Sequence, residues 1–224
     1  MDMRSTWRTL GRRTVTDIGL VVLADVVVGA SFGAIATSGG LPLWQPVVMS
    51  LLVFAGGAQF AAVGAVLAGG SATAGMVAGL VLNARLLPFG IAVADVLGTR
   101  WRTRLVGAHV TTDESVAFAL READPARRRA AFWACGLALF AAWNLAVLAG
   151  AAVGGAVRDT GAWGLDAAFP AVLLALVLPV LSRRTRRAAA VGAVLALAST
   201  PFLPPGLPVL VALVGLLALR REPA

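Results

Sequence analysis

The sequence lacks lysine and tyrosine, and it contains one cysteine, one histidine and few charged residues. Charged residues make up 13% of the 224 residues, against roughly 25% in a typical soluble domain. A single cysteine excludes an intramolecular disulfide, and a single histidine, His109, excludes a cluster of histidine metal ligands. The sequence has no P-loop, nucleophile elbow or metal-ligand spacing. It therefore predicts neither an enzyme nor a protein with a metal or another cofactor.

Apolar residues are abundant: they make up 59% of the chain and give a mean hydropathy of +0.86. A soluble protein of this length could not bury that much apolar surface, so the composition indicates a polytopic membrane protein in a lipid bilayer. The net charge is +8, and a basic chain can indicate a nucleic-acid partner. Here the arginines form short clusters between apolar runs, a pattern typical of cytoplasmic loops, which does not favour nucleic acid.

Apolar runs recur along the chain, and a membrane-spanning helix needs about 20 such residues. They predict an all-α polytopic membrane protein with seven or eight membrane segments, some broken or re-entrant, forming one transporter domain over residues 1–224. Asp25 lies inside the first run, which favours a retained first span with a cytoplasmic N-terminus over a cleaved signal sequence. The predicted segments are 18–38, 46–68, 72–97, 105–120, 131–156, 167–181, 188–200 and 204–219.

The arginine clusters leave the topology of residues 46–120 open. If every cluster is cytoplasmic, residues 46–97 must cross the membrane an odd number of times although they resemble two spans. One solution is a broken or re-entrant piece in this region together with a segment 105–120 that enters and returns. The other is that all segments cross and the arginine cluster at 100–104 is an exception to the positive-inside rule.

Two apolar runs carry residues that weaken a helix. The stretch FAGGAQF has two adjacent glycines, Gly56 and Gly57, followed by Gln59. The stretch LLPFG contains Pro88 and Gly90. Glycine and proline interrupt the hydrogen bonds of a helix, and the backbone groups that they free can line a cavity. Both stretches are therefore predicted to be helix breaks.

Charged residues within apolar runs are the strongest functional signal. At the bilayer centre each costs about 2.5–3.5 kcal/mol on insertion scales, so such residues usually face a cavity or a partner. Arg85, with Asn83 two residues before it, is predicted to face inward. It can bind an anionic group such as a substrate carboxylate, or it can form a structural ion pair with Asp25, Asp113 or Glu114. Both interpretations stay open.

The stretch HVTTDESVAF (109–118) has two interpretations. His109, Asp113 and Glu114 can take part in a proton relay, because neighbouring acids in a low dielectric rarely all ionise. Alternatively, the threonines and acids cap a helix that starts near Ser115. The cap is favoured as the local structure, and it does not exclude a proton site.

Four stretches in this order resemble the AzlC-type family, the large subunit of two-component branched-chain amino-acid exporters. They are LLVFAGGAQFAAVG (51–64), LVLNARLLPFG (80–90), TTDESVAFAL (111–120) and WGLDAAFPAVLLALVLP (163–179). The resemblance covers most of the chain.

The resemblance implies a permease of the bacterial plasma membrane. It would export branched-chain or other small neutral amino acids, use the proton gradient, and work with a small AzlD-type membrane subunit of about four spans. Two departures from the family pattern are Leu86, where the family has histidine, and Phe89, where it has tyrosine; Asp25 is not part of that pattern.

From these observations we expect two sets of functional residues. The substrate-binding set consists of Arg85, Asn83, Gln59, Gly56 and Gly57. The proton-coupling set consists of Asp113, Glu114 and Asp25. Alternatives to amino-acid export are a carrier for another small carboxylate, a proton-leak channel, or a membrane partner that only assembles with another subunit.

Overall fold

The computed structural model describes residues 9–67, 69–84, 86–155, 183–203 and 207–215. Within these ranges the chain is helical and has no β-strand, which confirms the all-α prediction for this part of it. The predicted segment 167–181 and Arg85 lie outside the described residues. The helices are α1 (Arg12–Ser38), α2 (Trp44–Leu52), α3 (Gly56–Leu67), α4 (Ala72–Asn83), α5 (Leu86–Ala92), α6 (Trp101–His109), α7 (Asp113–Arg121), α8 (Pro125–Gly154), α9 (Arg183–Ser199) and α10 (Leu207–Ala212).

Three described stretches are long and apolar enough to cross a membrane: Arg12–Ser38, Ala72–Ala92 and Pro125–Gly154. The helix Gly56–Leu67 is apolar but shorter. These stretches agree with the predicted segments 18–38, 72–97 and 131–156. The count of seven or eight membrane segments stays a prediction.

The described chain divides into two compact units. The first contains residues 1–56 and 83–166, and so includes α1, α2 and α5 to α8. The second contains residues 57–82 and 167–224, and so includes nearly all of α3 and α4 together with α9 and α10. The prediction of one transporter domain over the whole chain stays a prediction.

In the first unit, α1 and α8 pack closely through small residues. A Cβ atom on Gly150 would overlap the carbonyl group of Ala30, and one on Gly33 would lie 2.6 Å from the backbone nitrogen of Ala151. Such contact is possible only without a side chain, and it is a common way for membrane helices to associate. The small residues Gly29, Ala30 and Gly33 thus allow the backbones of α1 and α8 to approach closely.

The contacts between α1 and α8 also fix the relative direction of the two helices. Gly29 lies against Ala146, Gly33 against Ala151, and Thr37 against Gly154. Residue numbers rise together along both helices, so α1 and α8 run parallel. Their arginine-rich first turns, which contain Arg12 and Arg13 in α1 and residues 127–129 in α8, therefore lie at the same end of this unit.

The first turn of α8 also holds the turn segment that follows α5. Asp124 caps α8 by accepting a 2.8 Å hydrogen bond from the backbone N–H of Arg127. Arg128 donates a 2.7 Å hydrogen bond to the carbonyl of Ala92, and its Nε lies 3.2 Å from a carboxylate oxygen of Asp95. A cation at the C-terminal end of a helix is favourable, because the free carbonyl groups there carry partial negative charge.

In the second unit, α3 and α4 pack in the same way through glycine. A Cβ atom on Gly75 would lie 2.8 Å from the carbonyl oxygen of Ala62, and one on Gly79 would lie 3.3 Å from that of Ala58. Helices α9 and α10 meet at Gly192 and Gly215, where backbone contacts backbone. Close glycine-mediated packing therefore occurs in both units.

Candidate functional site

The break predicted at FAGGAQF is present. Helix α2 ends at Leu52, residues 53–55 are not helical, and α3 begins at Gly56. Val53 has φ −122° and ψ 73°, outside the helical region. The predicted segment 46–68 is therefore two helices separated by a short non-helical link. The first turn of α3 contains Gly56, Gly57 and Gln59, three of the predicted substrate-binding residues.

Gln59 is an unusual residue in this turn. Its side chain is 0% exposed. Neither the oxygen nor the nitrogen of its amide has a hydrogen-bond partner among the residues that the structure describes. An unsatisfied buried polar group costs about 1–3 kcal/mol, and more where no water is available. Unexplained buried groups of this kind mark sites where a ligand or an ion completes the hydrogen bonding.

At the beginning of α3, Gly56 faces the indole of Trp143 from α8. A Cβ atom on Gly56 would lie 2.8 Å from Cη2 of Trp143 and 3.3 Å from Cζ2. Trp143 also stacks on Phe32 of α1, with ring centroids 6.3 Å apart and an angle of 23° between the rings. Trp143 thus contacts both the first membrane helix and the residue at which α3 begins.

The indole nitrogen of Trp143 is a second buried group without a partner. Trp143 is 2% exposed, and its Nε1 has no hydrogen-bond acceptor within the described part of the chain. The other buried tryptophan of α8, Trp133, donates from Nε1 to the carbonyl of Val96 at 3.2 Å. No sequence pattern distinguishes the two tryptophans, because the difference lies in what surrounds each ring.

The last turn of α2 is tied to α8 by a polar contact. The hydroxyl of Ser50 donates a 2.7 Å hydrogen bond to the side-chain oxygen of Asn144, and the Asn144 amide nitrogen donates to the carbonyl of Phe140 at 2.8 Å. Ser50 is fully buried. These bonds hold the last turn of α2, just before the break, against α8.

Three rings pack beside this contact. Phe54, in the link between α2 and α3, lies 5.2 Å from Phe140 in an edge-to-face arrangement, and His109 lies 5.3 Å from Phe140 and 6.5 Å from Phe54. The packing anchors the link against α8. His109, which the sequence offered as part of a proton relay, has its ring in this cluster.

The cap predicted for HVTTDESVAF is confirmed. Thr112 is the N-cap of α7, and its hydroxyl accepts a 3.1 Å hydrogen bond from the backbone N–H of Ser115. The Ser115 hydroxyl in turn accepts a 2.8 Å bond from the backbone N–H of Thr112. The helix begins at Asp113, two residues before the expected start. Asp113 and Glu114 occupy its first turn, where acidic side chains are favourable.

The structure brings together two of the three predicted proton-coupling residues. Asp25 of α1 and Glu114 of α7 are half-buried and lie within electrostatic range of one another. Both also lie within electrostatic range of the buried Cys135 of α8. Asp113 is half-buried, and its side chain has a hydrogen-bond or electrostatic partner. Asp95, by contrast, is 58% exposed and pairs with Arg128.

The remaining substrate-binding prediction concerns Asn83 and Arg85. Asn83 is the last residue of α4, is half-buried, and is followed by a turn at Ala84. The break predicted at LLPFG is wrong in its position, because α5 is helical through Pro88 and Gly90. Proline is tolerated there because it lies in the first turn, where its missing N–H group needs no partner. Arg85 lies outside the described residues, so both interpretations of its role stay predictions. Among the described residues, no group of three or more His, Cys, Asp or Glu side chains could hold a metal ion.

The chain was compared with known proteins. The sequence model of the AzlC family, described as "AzlC protein", matches residues 21–157. An uncharacterised membrane protein of Archaeoglobus fulgidus is 31% identical over 185 residues, which is 80% of this chain and 79% of that protein. No solved structure is significantly similar to the chain. The chain therefore belongs to the AzlC family, a family of membrane proteins associated with branched-chain amino-acid transport.

Proposed function

We propose that this protein is a secondary transporter that exports branched-chain or other small neutral amino acids across the plasma membrane. The observation that carries the proposal is the buried amide of Gln59, which has no hydrogen-bond partner among the described residues. It lies in the first turn of α3, directly after the non-helical link between α2 and α3. Family membership supplies the transport context, and the break supplies a place for a polar ligand inside an apolar protein.

The first turn of α3 suits the carboxylate of an amino acid. The first backbone N–H groups of a helix have no partner within the helix, and they carry partial positive charge. Gly56 and Gly57 have no side chains, so a ligand can approach the backbone closely. Gln59 adds one donor group and one acceptor to the same turn. Its acceptor can take a hydrogen bond from the substrate ammonium while its donor serves the carboxylate.

Arg85 and Asn83 are further proposed substrate-binding residues. A guanidinium group matches a carboxylate with two parallel hydrogen bonds, and Arg85 is a cation within an apolar run. The aliphatic side chain of the substrate would contact apolar residues and so contribute affinity without polar recognition.

Asp25, Glu114 and Asp113 are the proposed proton-coupling residues. Two carboxylates within electrostatic range in a low dielectric favour a state in which they share one proton. Binding and release of that proton during transport would couple amino-acid export to the proton gradient. A small AzlD-type subunit is the proposed partner.

The test is amino-acid efflux from cells loaded with isoleucine and valine by feeding dipeptides. Four strains are compared: this chain alone, the small subunit alone, both, and neither. Faster efflux only with both chains supports a two-component exporter. Unchanged efflux in every strain, with both chains found in the membrane, would contradict the proposal. A wider panel of amino and organic acids then separates a carrier of another carboxylate from a subunit that transports nothing.

A further inference from the structure

The indole of Trp143 has an orientation that the packing around it defines. Its Cε3 lies 3.2 Å from the position of a Cβ atom on Gly29, so this edge of the ring faces α1. In an indole, Nε1 and Cε3 lie on opposite edges. The edge that carries the N–H group therefore faces away from Gly29. Gly56 lies against the outer end of the six-membered ring, with its Cβ position 2.8 Å from Cη2 and 3.3 Å from both Cζ2 and Cζ3.

The Trp143 N–H group thus belongs to a ring that contacts Gly56, the residue at which α3 begins. It is buried and without an acceptor among the residues that the structure describes. The neighbouring Asn144 differs, because its side chain both donates and accepts a hydrogen bond. An indole N–H is only a donor, so only an acceptor can satisfy it.

We propose that Trp143 is a substrate-binding residue whose indole N–H donates a hydrogen bond to the carboxylate of the transported amino acid. The inference rests on the proposed transport function and adds a residue to its site. A neutral amino acid with an aliphatic side chain offers acceptor atoms only on its carboxylate, since the ammonium group and the side chain have none. A hydrogen bond to a charged acceptor in a low dielectric is among the stronger ones, so the group contributes affinity when substrate is bound.

Gly56 is part of the same arrangement. A side chain at this position would contact the indole at 2.8 Å and would displace either the ring or the start of α3. The glycine therefore allows the ring to lie against the break. Stacking on Phe32 also restrains the ring, so that the N–H group is positioned before substrate arrives.

The test compares Trp143→Phe with Trp133→Phe in the assembly that transports isoleucine. Phenylalanine keeps an aromatic ring but removes the N–H group in both variants. We expect Trp143→Phe to raise KM for isoleucine about tenfold or more, with maximal velocity within about twofold of wild type. Trp133→Phe loses its bond to Val96, so it is expected to lower thermal stability and leave KM unchanged.

A second measurement uses the unaltered chain. The protein is labelled with ¹⁵N-tryptophan in lipid nanodiscs, and the Trp143 indole signal is assigned by its loss in Trp143→Phe. Isoleucine is expected to move this signal downfield with a midpoint equal to the transport KM. 2-Methylbutylamine, which has the same side chain and ammonium group but no carboxylate or other acceptor, is expected not to move it.

The outcomes separate this inference from the proposed function. If wild type transports isoleucine but the Trp143 signal does not move and Trp143→Phe has an unchanged KM, the inference is overturned and the transport proposal stands. If 2-methylbutylamine moves the signal as isoleucine does, the carboxylate is not the acceptor and the inference is also overturned. If the wild-type assembly transports no amino acid, the proposed function fails and the inference fails with it.

Discussion

At the scale of single residues, the polar groups that lack partners are the informative ones. The other buried polar side chains in the described chain have hydrogen bonds: Ser31 to Val27, Ser50 to Asn144, Thr111 to Gly107, and Ser115 to Thr112. Gln59 and the indole nitrogen of Trp143 do not. Since a membrane protein has no water in its apolar interior to satisfy such groups, we propose that substrate satisfies them.

The substitution Gln59→Leu tests this interpretation. Leucine removes the unsatisfied amide and keeps a side chain of similar size. We expect the free energy of unfolding to stay equal or to rise by about 1–3 kcal/mol, whereas isoleucine efflux falls at least about tenfold. Denaturant unfolding in detergent measures the first quantity and the cellular efflux assay measures the second.

The matched control for Gln59→Leu is Ser50→Ala. Ser50 is equally buried, but its hydroxyl is bonded to Asn144. Removing it leaves the Asn144 oxygen without that donor, so stability is expected to fall by about 1–3 kcal/mol. If Gln59→Leu instead lowered stability as Ser50→Ala does and left transport normal, Gln59 would be a structural residue.

Sequence reasoning identified Gln59 but not Trp143. Gln59 is polar within an apolar run, so composition alone makes it conspicuous. Tryptophan is ordinary in such a run, and a buried tryptophan usually finds an acceptor, as Trp133 does. Whether an indole N–H has a partner depends on residues far away in the sequence, so only the packed structure distinguishes Trp143.

At the scale of helices, polar groups lie where a helix is interrupted or begins. The glycine pair at 56–57 predicted the break between α2 and α3. The acids and threonines of 111–114 predicted the start of α7. The predicted cap divides segment 105–120 into α6 and α7, which are separated at Val110 to Thr112. Polar residues lie at this division, and the cap bonds that stabilise it are local side-chain contacts.

Glycine packing between α1 and α8 makes a prediction at this scale. A Cβ atom on Gly150 would overlap the carbonyl of Ala30, so Gly150→Ala must separate the two helices. We expect a loss of about 1–3 kcal/mol in the free energy of unfolding, typical of overpacking a close contact. Thermal unfolding of the purified protein measures this.

The control for Gly150→Ala is Gly19→Ala in α1. Nothing lies within 4 Å of a Cβ atom at that position. Alanine there is expected to stabilise the helix by up to about 1 kcal/mol, because it restricts the unfolded chain more than glycine does. Equal stability of Gly150→Ala and Gly19→Ala would show that α1 and α8 do not pack as described.

At the scale of the molecule, the parallel direction of α1 and α8 is the main constraint on topology. It places the arginine-rich starts of both helices at one end of the first unit. This agrees with the expectation that both arginine clusters are cytoplasmic. Sequence reasoning could assign a side to each cluster, but it could not show that the helices are neighbours, because the glycines that join them are about 120 residues apart in the sequence.

Two acidic residues of the first unit, Asp25 and Glu114, are proposed to couple transport to the proton gradient. Asp25 comes from α1 and Glu114 from α7, and the fold brings them within electrostatic range. Asp25 was placed in the proton-coupling set because it lies inside an apolar run. That it neighbours Glu114 could not be read from the sequence. A transporter in which these acids carry the proton should lose its dependence on the gradient when one of them is neutralised.

The most direct test of the account is proton-driven isoleucine flux in proteoliposomes that contain this chain and its small subunit. We expect an imposed pH gradient to accelerate isoleucine flux severalfold over the rate without a gradient. The substitution Asp25→Asn is expected to remove this acceleration while isoleucine exchange continues, whereas Asp95→Asn, at an exposed position paired with Arg128, is expected to keep it. Wild-type flux of isoleucine that is absent, or that is the same with and without the gradient, would contradict a proton-coupled amino-acid exporter.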